Sequence, residues 1–143
     1  MKKLALLFFA LFLIASCSME EEDNVKFHIE FVPVVSVDLP EHFVRGETYD
    51  MKVRYHRPDD CHYFNGFYYD SQPNSNQRVV AVQTIVIEDA NCLPVDEQDL
   101  EEVSFDFLCS PSYNNTSYVF KFYTGDDANG NQQYLEVEVP VLE

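Results

Sequence analysis

Val25-Lys26-Phe27-His28-Ile29-Glu30-Phe31-Val32-Pro33 carries the pattern on which the architecture rests. Val25, Phe27, Ile29 and Phe31 alternate with Lys26, His28 and Glu30, the period of two expected of a strand with one buried face and one wet face. Pro33 has no N–H to give to a ladder, so this strand is expected to lie at an edge and to bend or change sheet before Val35, Val37 and Leu39. The same period recurs downstream. Residues 40–47 read as a turn, after which Tyr49, Met51, Val53 and Tyr55 alternate with Asp50, Lys52 and Arg54 until Pro58. Strands are expected over residues 78–87 and 103–109, the second with Val103, Phe105, Phe107 and Cys109 on one face. Tyr118, Phe120 and Phe122 lead up to Gly125, and Leu135, Val137, Val139 and Val141 lead back. Asn129-Gly130 between them supplies the positive-φ residues of a tight or bulged hairpin loop. Past the N-terminal leader no run of ten residues has a helical period. The pattern predicts an all-β chain: a two-sheet antiparallel sandwich of immunoglobulin-like type with about seven strands, or alternatively a small β-barrel.

The composition excludes whole classes of function. The chain has 143 residues with 9 Lys+Arg against 25 Asp+Glu, a net charge of -16, and would be repelled by phosphate backbones, so no nucleic-acid partner is expected. Gly46, Gly66, Gly125 and Gly130 are too scattered to form a phosphate-cradling loop, which removes nucleotide-dependent enzymes.

The N-terminus reads as a targeting segment. Lys2 and Lys3 precede an uncharged apolar run over residues 4–15, whereas a membrane-spanning helix takes about 20 residues. Residues 1–16 are therefore expected to be a signal peptide. The run closes on Ile14-Ala15-Ser16-Cys17, which resembles the lipobox of bacterial lipoproteins. That resemblance implies that the Cys17 thiol carries a diacylglycerol and its freed amine an acyl chain such as palmitate; the alternative is an ordinary secretory signal in which Cys17 is incidental. Several acyl chains hold stably where one holds only marginally. Residues 17–24, rich in Glu20, Glu21, Glu22 and Asp23, form an acidic tether of ~25 Å reach at most. Acids just after the lipidated cysteine also resemble the export signal of Bacteroidota-type surface lipoproteins, which implies an outer-membrane, outward-facing location; the alternative is a solubilising linker. Residues 25–143 are left for a single domain.

Residues 61–69, Cys-His-Tyr-Phe-Asn-Gly-Phe-Tyr-Tyr, hold five aromatic side chains around Asn65-Gly66 and read as a hairpin tip or a bulged strand. Tyr63, Phe64, Phe67, Tyr68 and Tyr69 are either core packing or a contact platform, since tyrosine offers large area with a polar tip at low entropic cost. With no Trp in the chain, sugar stacking on this platform is not expected.

Beyond Cys17 the chain has Cys61, Cys92 and Cys109, an odd number in a compartment where disulfides persist. Cys109 shares the inward parity of its strand, whereas Cys61 and Cys92 lie at strand margins, so a Cys61–Cys92 bridge is expected. The overall run is similar to small uncharacterised Bacteroidota-type lipoproteins, a resemblance that brings no activity with it. His56, Asp60, Cys61 and His62, with Asp59, could instead ligate copper or zinc, although their spacing matches no zinc motif and a bridged Cys61 has no thiolate to give. A Cys61–His62 nucleophile is discounted because neighbours on a strand point to opposite faces. His28 and His42 read as surface residues, and the carboxylates of residues 88–102 and Asp126-Asp127 as a solvated acidic face rather than a calcium site. The expectation is thus a lipid-anchored envelope protein, non-catalytic and without cofactor, that binds or assists a partner. The alternatives are an envelope copper- or zinc-binding protein and an immunoglobulin-like inhibitor of an envelope protease.

Overall fold

Nine strands arise from the alternating segments: β1 (Phe27–Val32), β2 (Val34–Asp38), β3 (Phe43–Val44), β4 (Thr48–His56), β5 (His62–Asp70), β6 (Gln77–Ile87), β7 (Leu100–Leu108), β8 (Ser117–Asp126) and β9 (Gln132–Leu142). The computed structural model describes residues 25–142; the leader 1–16, Cys17 and the tether 17–24 lie outside the described residues. The strands form two sheets, one of six strands and one of three, that do not close into a barrel. The expected two-sheet sandwich is therefore the architecture, with nine strands in place of about seven.

In the larger sheet β6 is the central strand. Along one edge it pairs with β5. Its other edge is shared end to end: β1 pairs antiparallel with residues 82–87, and β8 pairs parallel with residues 77–80. β9 then pairs with β8, and the short β3 pairs parallel with β9. The small sheet is β2-β4-β7, antiparallel throughout. Two of the pairings, β6–β8 and β3–β9, are thus parallel where an antiparallel arrangement was expected.

The crossing at Pro33 follows from that shared edge. Val32 pairs with Val82 in the larger sheet and Val34 with Tyr55 in the small one, so the chain changes sheets at the single residue that cannot donate to either ladder. Beyond Val32 the edge of β6 belongs to β8. A Cβ on Gly125, whose φ is +107°, would stand 3.5 Å from Pro33 Cγ, which shows how closely the two chains meet there.

Burial corrects three details of the sequence reading. The alternating face of β1 is not the core face: Phe27 and Ile29 are more than half exposed, Phe31 is half-buried, and Val32, of opposite parity, is sealed. The turn expected over residues 40–47 contains β3, and its Phe43 is fully enclosed by Tyr49, Phe107, Tyr118 and Phe120, with ring centroids 4.9 to 6.0 Å away. In β2 the expected parity of Val35, Val37 and Leu39 fails at its first member: Val34 is buried and Val35 half exposed, and a register shift between Val34 and Ser36 brings Val37 back opposite Val53. In β4, β7, β8 and β9 the alternation holds. Met51, Val53 and Tyr55 of β4, Val80 and Val82 of β6, and Phe120 and Phe122 of β8 are all fully buried between the sheets.

Burial of this kind sets the energetic contrast between Phe43 and Phe27. Phe43→Ala is expected to lower unfolding free energy by about 3–5 kcal/mol, the usual cost of emptying a phenylalanine site in a core. Phe27→Ala is expected to stay within about 0.5 kcal/mol, as for an exposed position. Urea unfolding of the two variants reads both; a large loss at Phe27 would return β1 to the parity read from the sequence.

Candidate functional site

The aromatic segment is the edge strand β5, bulged at Asn65-Gly66. His62, Tyr63 and Phe64 pair in register with Val86, Ile85 and Thr84, but Phe67 and not Gly66 meets Val82. One extra residue is accommodated there, and Gly66 takes φ +104°, a conformation open to glycine. The bulge resets parity, so the five aromatic residues do not share one face.

Phe64, Phe67 and Tyr69 point to the inner side. Phe67 packs on Phe105 of β7 at 4.9 Å, and Phe64 lies 6.4 Å from Tyr55 and 5.4 Å from Phe67, closing the side where the two sheet edges approach. Tyr69 shares with Phe67, Phe105 and Phe107 the walls of a shallow groove between β5 and β7. Burial raises the Tyr69 phenol above its ordinary value, partly offset by Arg78 beside it.

Tyr63 and Tyr68 point outward, away from the small sheet. They join residues that the sequence reading did not assign to the platform: Ile85 stands between Ile29 and Tyr63, Ile87 beside Phe27, and Phe31 packs on Tyr68 at 5.5 Å and Tyr123 at 6.1 Å. Phe27, Ile29, Tyr63 and Tyr68 are 58, 54, 53 and 43 % exposed, so this face is apolar and wet together. The outer face of the small sheet is the opposite: Asp38, Asp50, Lys52, Arg54, Glu102, Ser104 and Asp106 occupy it, with Arg54 paired to Glu102 at 2.6 Å. The sequence did contain a signal. Val79-Val80-Ala81-Val82 and Ile85-Val86-Ile87 make β6 apolar on both faces, more than a strand with one wet face requires.

At the start of β5 lies a knot of covalent and ionic bonds. Cys61 and Cys92 form the expected disulfide, with Cα atoms 5.5 Å apart and 31 residues of separation, while Cys109 is a free, fully buried thiol. Burial pushes that thiol's pKa up, against a hydrogen bond from Tyr118 and the charge of Arg45. His62, its side chain only 7 % exposed, donates from Nδ1 to Asp59 Oδ1 at 2.6 Å and turns Nε2 toward Glu30 at 3.6 Å. The same Asp59 oxygen accepts the Cys61 N–H, and Asp60 accepts the Leu93 N–H. Desolvation would raise the Asp59 carboxyl, but the bonds from His62 and Cys61 outweigh it and hold it below the usual carboxylate range.

Of the possible metal ligands, Asp59, Asp60, Cys61 and Cys92 bring their ligand atoms within 4.8 Å of one another. Both sulfurs are spent on each other in the disulfide, and His56 turns Nε2 to the Asp96 carbonyl at 3.1 Å, away from that group. His28 and His42 are exposed, as expected, with His28 beside Glu88 at 3.1 Å. Asp127 is engaged by its own turn, accepting the N–H groups of Asn129 and Asn131 and held below the usual carboxylate range by them. Asp126 accepts from the Tyr123 hydroxyl at 3.1 Å. No protein-family model matches the chain, and comparison with curated proteins and with solved structures finds no significant match.

The disulfide and Asp59 each give a measurable expectation. Replacing Cys61 and Cys92 together by alanine frees a 31-residue loop in the unfolded chain and is expected to cost about 3–4 kcal/mol in denaturant unfolding. Because the Asp59 carboxyl is depressed, its stabilisation is complete above about pH 4 and is lost as the pH falls through the folded value. The stability gap between wild type and Asp59→Asn, followed by thermal unfolding, should therefore be widest near neutrality and vanish in acid. A gap that is independent of pH would remove the ionic role.

Proposed function

We propose that this protein is a lipid-anchored component of the bacterial cell envelope that works without catalysis, binding a partner protein through the outer face of its larger sheet. The observation that carries the reading is the contrast between the two outer faces: the small sheet presents paired charges, whereas the larger sheet confines its outward pair, Lys121 with Glu136, to β8 and β9 and presents Phe27, Ile29, Tyr63 and Tyr68 across β1, β6 and β5. A solvent-facing sheet normally alternates apolar-in with polar-out, so an apolar outer face marks a surface made to be covered. Tyrosine at its centre suits an interface that is wet in one state and dry in the other.

The anchoring half of the proposal rests on the lipobox Ile14-Ala15-Ser16-Cys17. An acylated Cys17 and a short acidic tether hold the domain beside the outer membrane, with the tether entering at Val25, next to the apolar face on β1. Membrane attachment then asks nothing of the folded surface. The non-catalytic half is supported by the state of the thiols. Cys61 is bonded to Cys92, and Cys109 is enclosed, so neither is available as a nucleophile.

The test is site-specific photo-crosslinking on intact cells. A photoreactive residue in place of Tyr63 or Ile29 is expected to capture a discrete partner, and the same residue in place of Ser104 on the other sheet is not. Alanine at both Ile29 and Tyr68 should abolish capture from Tyr63 while leaving the folded protein at wild-type level. Equal capture from both faces, or from neither, overturns the assignment. Cys17→Ser should move the protein out of the acylated membrane fraction, as read by incorporation of labelled palmitate.

A further inference from the structure

At the end of β5 opposite the disulfide, the turn joining β5 to β6 and the loop joining β7 to β8 face each other across an open cleft of about 570 Å³. Its walls combine hydroxyls and carboxamides, among them Asn74, Ser112 and Asn115, with the apolar surface of Pro73, Tyr113 and Tyr118, and Arg78 stands beside them. The chain has 25 Asp+Glu, yet none of them lines this cleft.

Arg78 is unusual for so acidic a protein. Lys26, Lys52, Arg54, Arg57 and Lys121 each pair with a carboxylate. Among the described residues no carboxylate pairs with Arg78. Its Nη1 donates to the backbone carbonyls of Ser75 and Gln77 at 2.8 and 2.6 Å, and its guanidinium carbon lies 4.9 Å from the Tyr118 ring centroid and 6.0 Å from that of Tyr113. These contacts are all to neutral groups, so the charge is positioned but not neutralised. Arg45 reaches the same loop, donating from Nε to the Tyr113 carbonyl at 2.9 Å and from Nη1 to the Leu142 carbonyl at 3.3 Å. Arg78, its charge unpaired among the described residues, therefore makes a local positive spot beside Tyr113 on a chain of net charge -16. The aromatic part of the wall is fixed as well: Tyr113 stacks on Tyr118 at 3.7 Å and donates its hydroxyl to the Ser117 carbonyl.

We propose that this cleft binds an acidic saccharide, a hydroxyl-rich ring or short chain bearing a carboxylate, with the carboxylate on Arg78 and the hydroxyls on the serine and asparagine side chains. Hydroxyls and carboxamides both donate and accept, which matches the dual character of sugar hydroxyls. A guanidinium holds a carboxylate through charge-assisted bonds, and the cleft lies in the size range of small-molecule sites. The rings of Tyr113 and Tyr118 beside Arg78 offer a flat apolar surface for the face of a sugar ring. A nucleic-acid phosphate would meet the repulsion of the whole chain. The site is separate from the outer face of the larger sheet, so either assignment can fail alone.

Calorimetric titration of the purified full chain in detergent tests it, with tri-galacturonate and sialyllactose as acidic probes and maltotriose and lactose as neutral counterparts. At least one acidic probe is expected to bind, with its neutral counterpart and the Arg78→Ala variant each weaker by about tenfold or more, the loss of one charge-assisted bond. Ser112→Asp leaves the Arg78 bonds to Ser75 and Gln77 in place and sets a competing carboxylate on the exposed rim; it should weaken binding by a similar factor in a protein of unchanged circular dichroism. No binding of either acidic probe at millimolar concentration, equal binding of neutral probes, or binding that survives Ser112→Asp overturns the proposal.

Discussion

Phe43, Phe107, Tyr118 and Phe120 form the contact on which the two sheets depend. Phe107 belongs to the small sheet, Tyr118 and Phe120 to the larger, and Phe43 to a two-residue strand that runs beside β9. Centroid separations of 4.9 to 6.0 Å, mostly at edge-to-face angles, join Phe43 and Phe107 to the two rings of β8. Edge-to-face packing places the positive rim of one ring on the negative face of the next and adds to plain area burial. With no tryptophan in the chain, these phenylalanine and tyrosine rings are the large members of a core otherwise built mainly of valine. The neighbouring polar groups follow suit. Tyr118 sits between Tyr113, Arg78 and the buried Cys109, and burial pushes its phenol up to about 12. What fixes the sheets also fixes the loop that carries Tyr113.

The route of the N-terminal segment explains how an apolar face comes to be outside. β1 and β8 compete for one edge of β6, and the ladder passes from one to the other where Val32 and Phe122 meet Val82 and Val80. Pro33 ends β1 at that point and sends the chain to the small sheet. Val32 must face inward to join the core beside Val34 and Val82, and strand parity then turns Phe31, Ile29 and Phe27 outward. The apolar alternation of β1 is thus real but belongs to the other face. Together with the outward residues of β6 and β5 it forms one continuous surface.

Much of this architecture was legible in the sequence because period two survives in β4, β7, β8 and β9, where one side of every strand is in the core. The parity of β1 was not legible. Two readings of Val25 to Val32 differ only by which side the second sheet lies on, and that is a long-range fact set by Pro33 and by β8. Phe43 was hidden for a related reason: two residues are too short for a period, and their burial comes from rings contributed by β4, β7 and β8. The disulfide was legible because strand parity removed Cys109 from the three cysteines and left Cys61 and Cys92 at loop margins. The division of the aromatic segment was not, since Gly66 announces a bulge without saying which residues it moves from one face to the other.

Charge completes the picture. The carboxylates are not spread evenly: Glu101 and Glu102 engage Arg57, Arg54 and Lys52 at the small sheet, while Asp59 and Asp60 are consumed by backbone and His62 around the disulfide. Most cations are thereby neutralised where they stand. On the outer face of the larger sheet the charges, Lys121 with Glu136 and Glu138, are kept to β8 and β9, which leaves the β1-β6-β5 half apolar, and the cleft at Arg78 is left with positive charge alone. In an acidic protein an uncompensated guanidinium beside a carboxylate-free wall attracts small anions over short range, although the whole molecule repels extended polyanions. On the proposed reading of the cleft, the same charge distribution would select for size: a short acidic chain would reach Arg78, and a long one would meet the field of the rest of the surface.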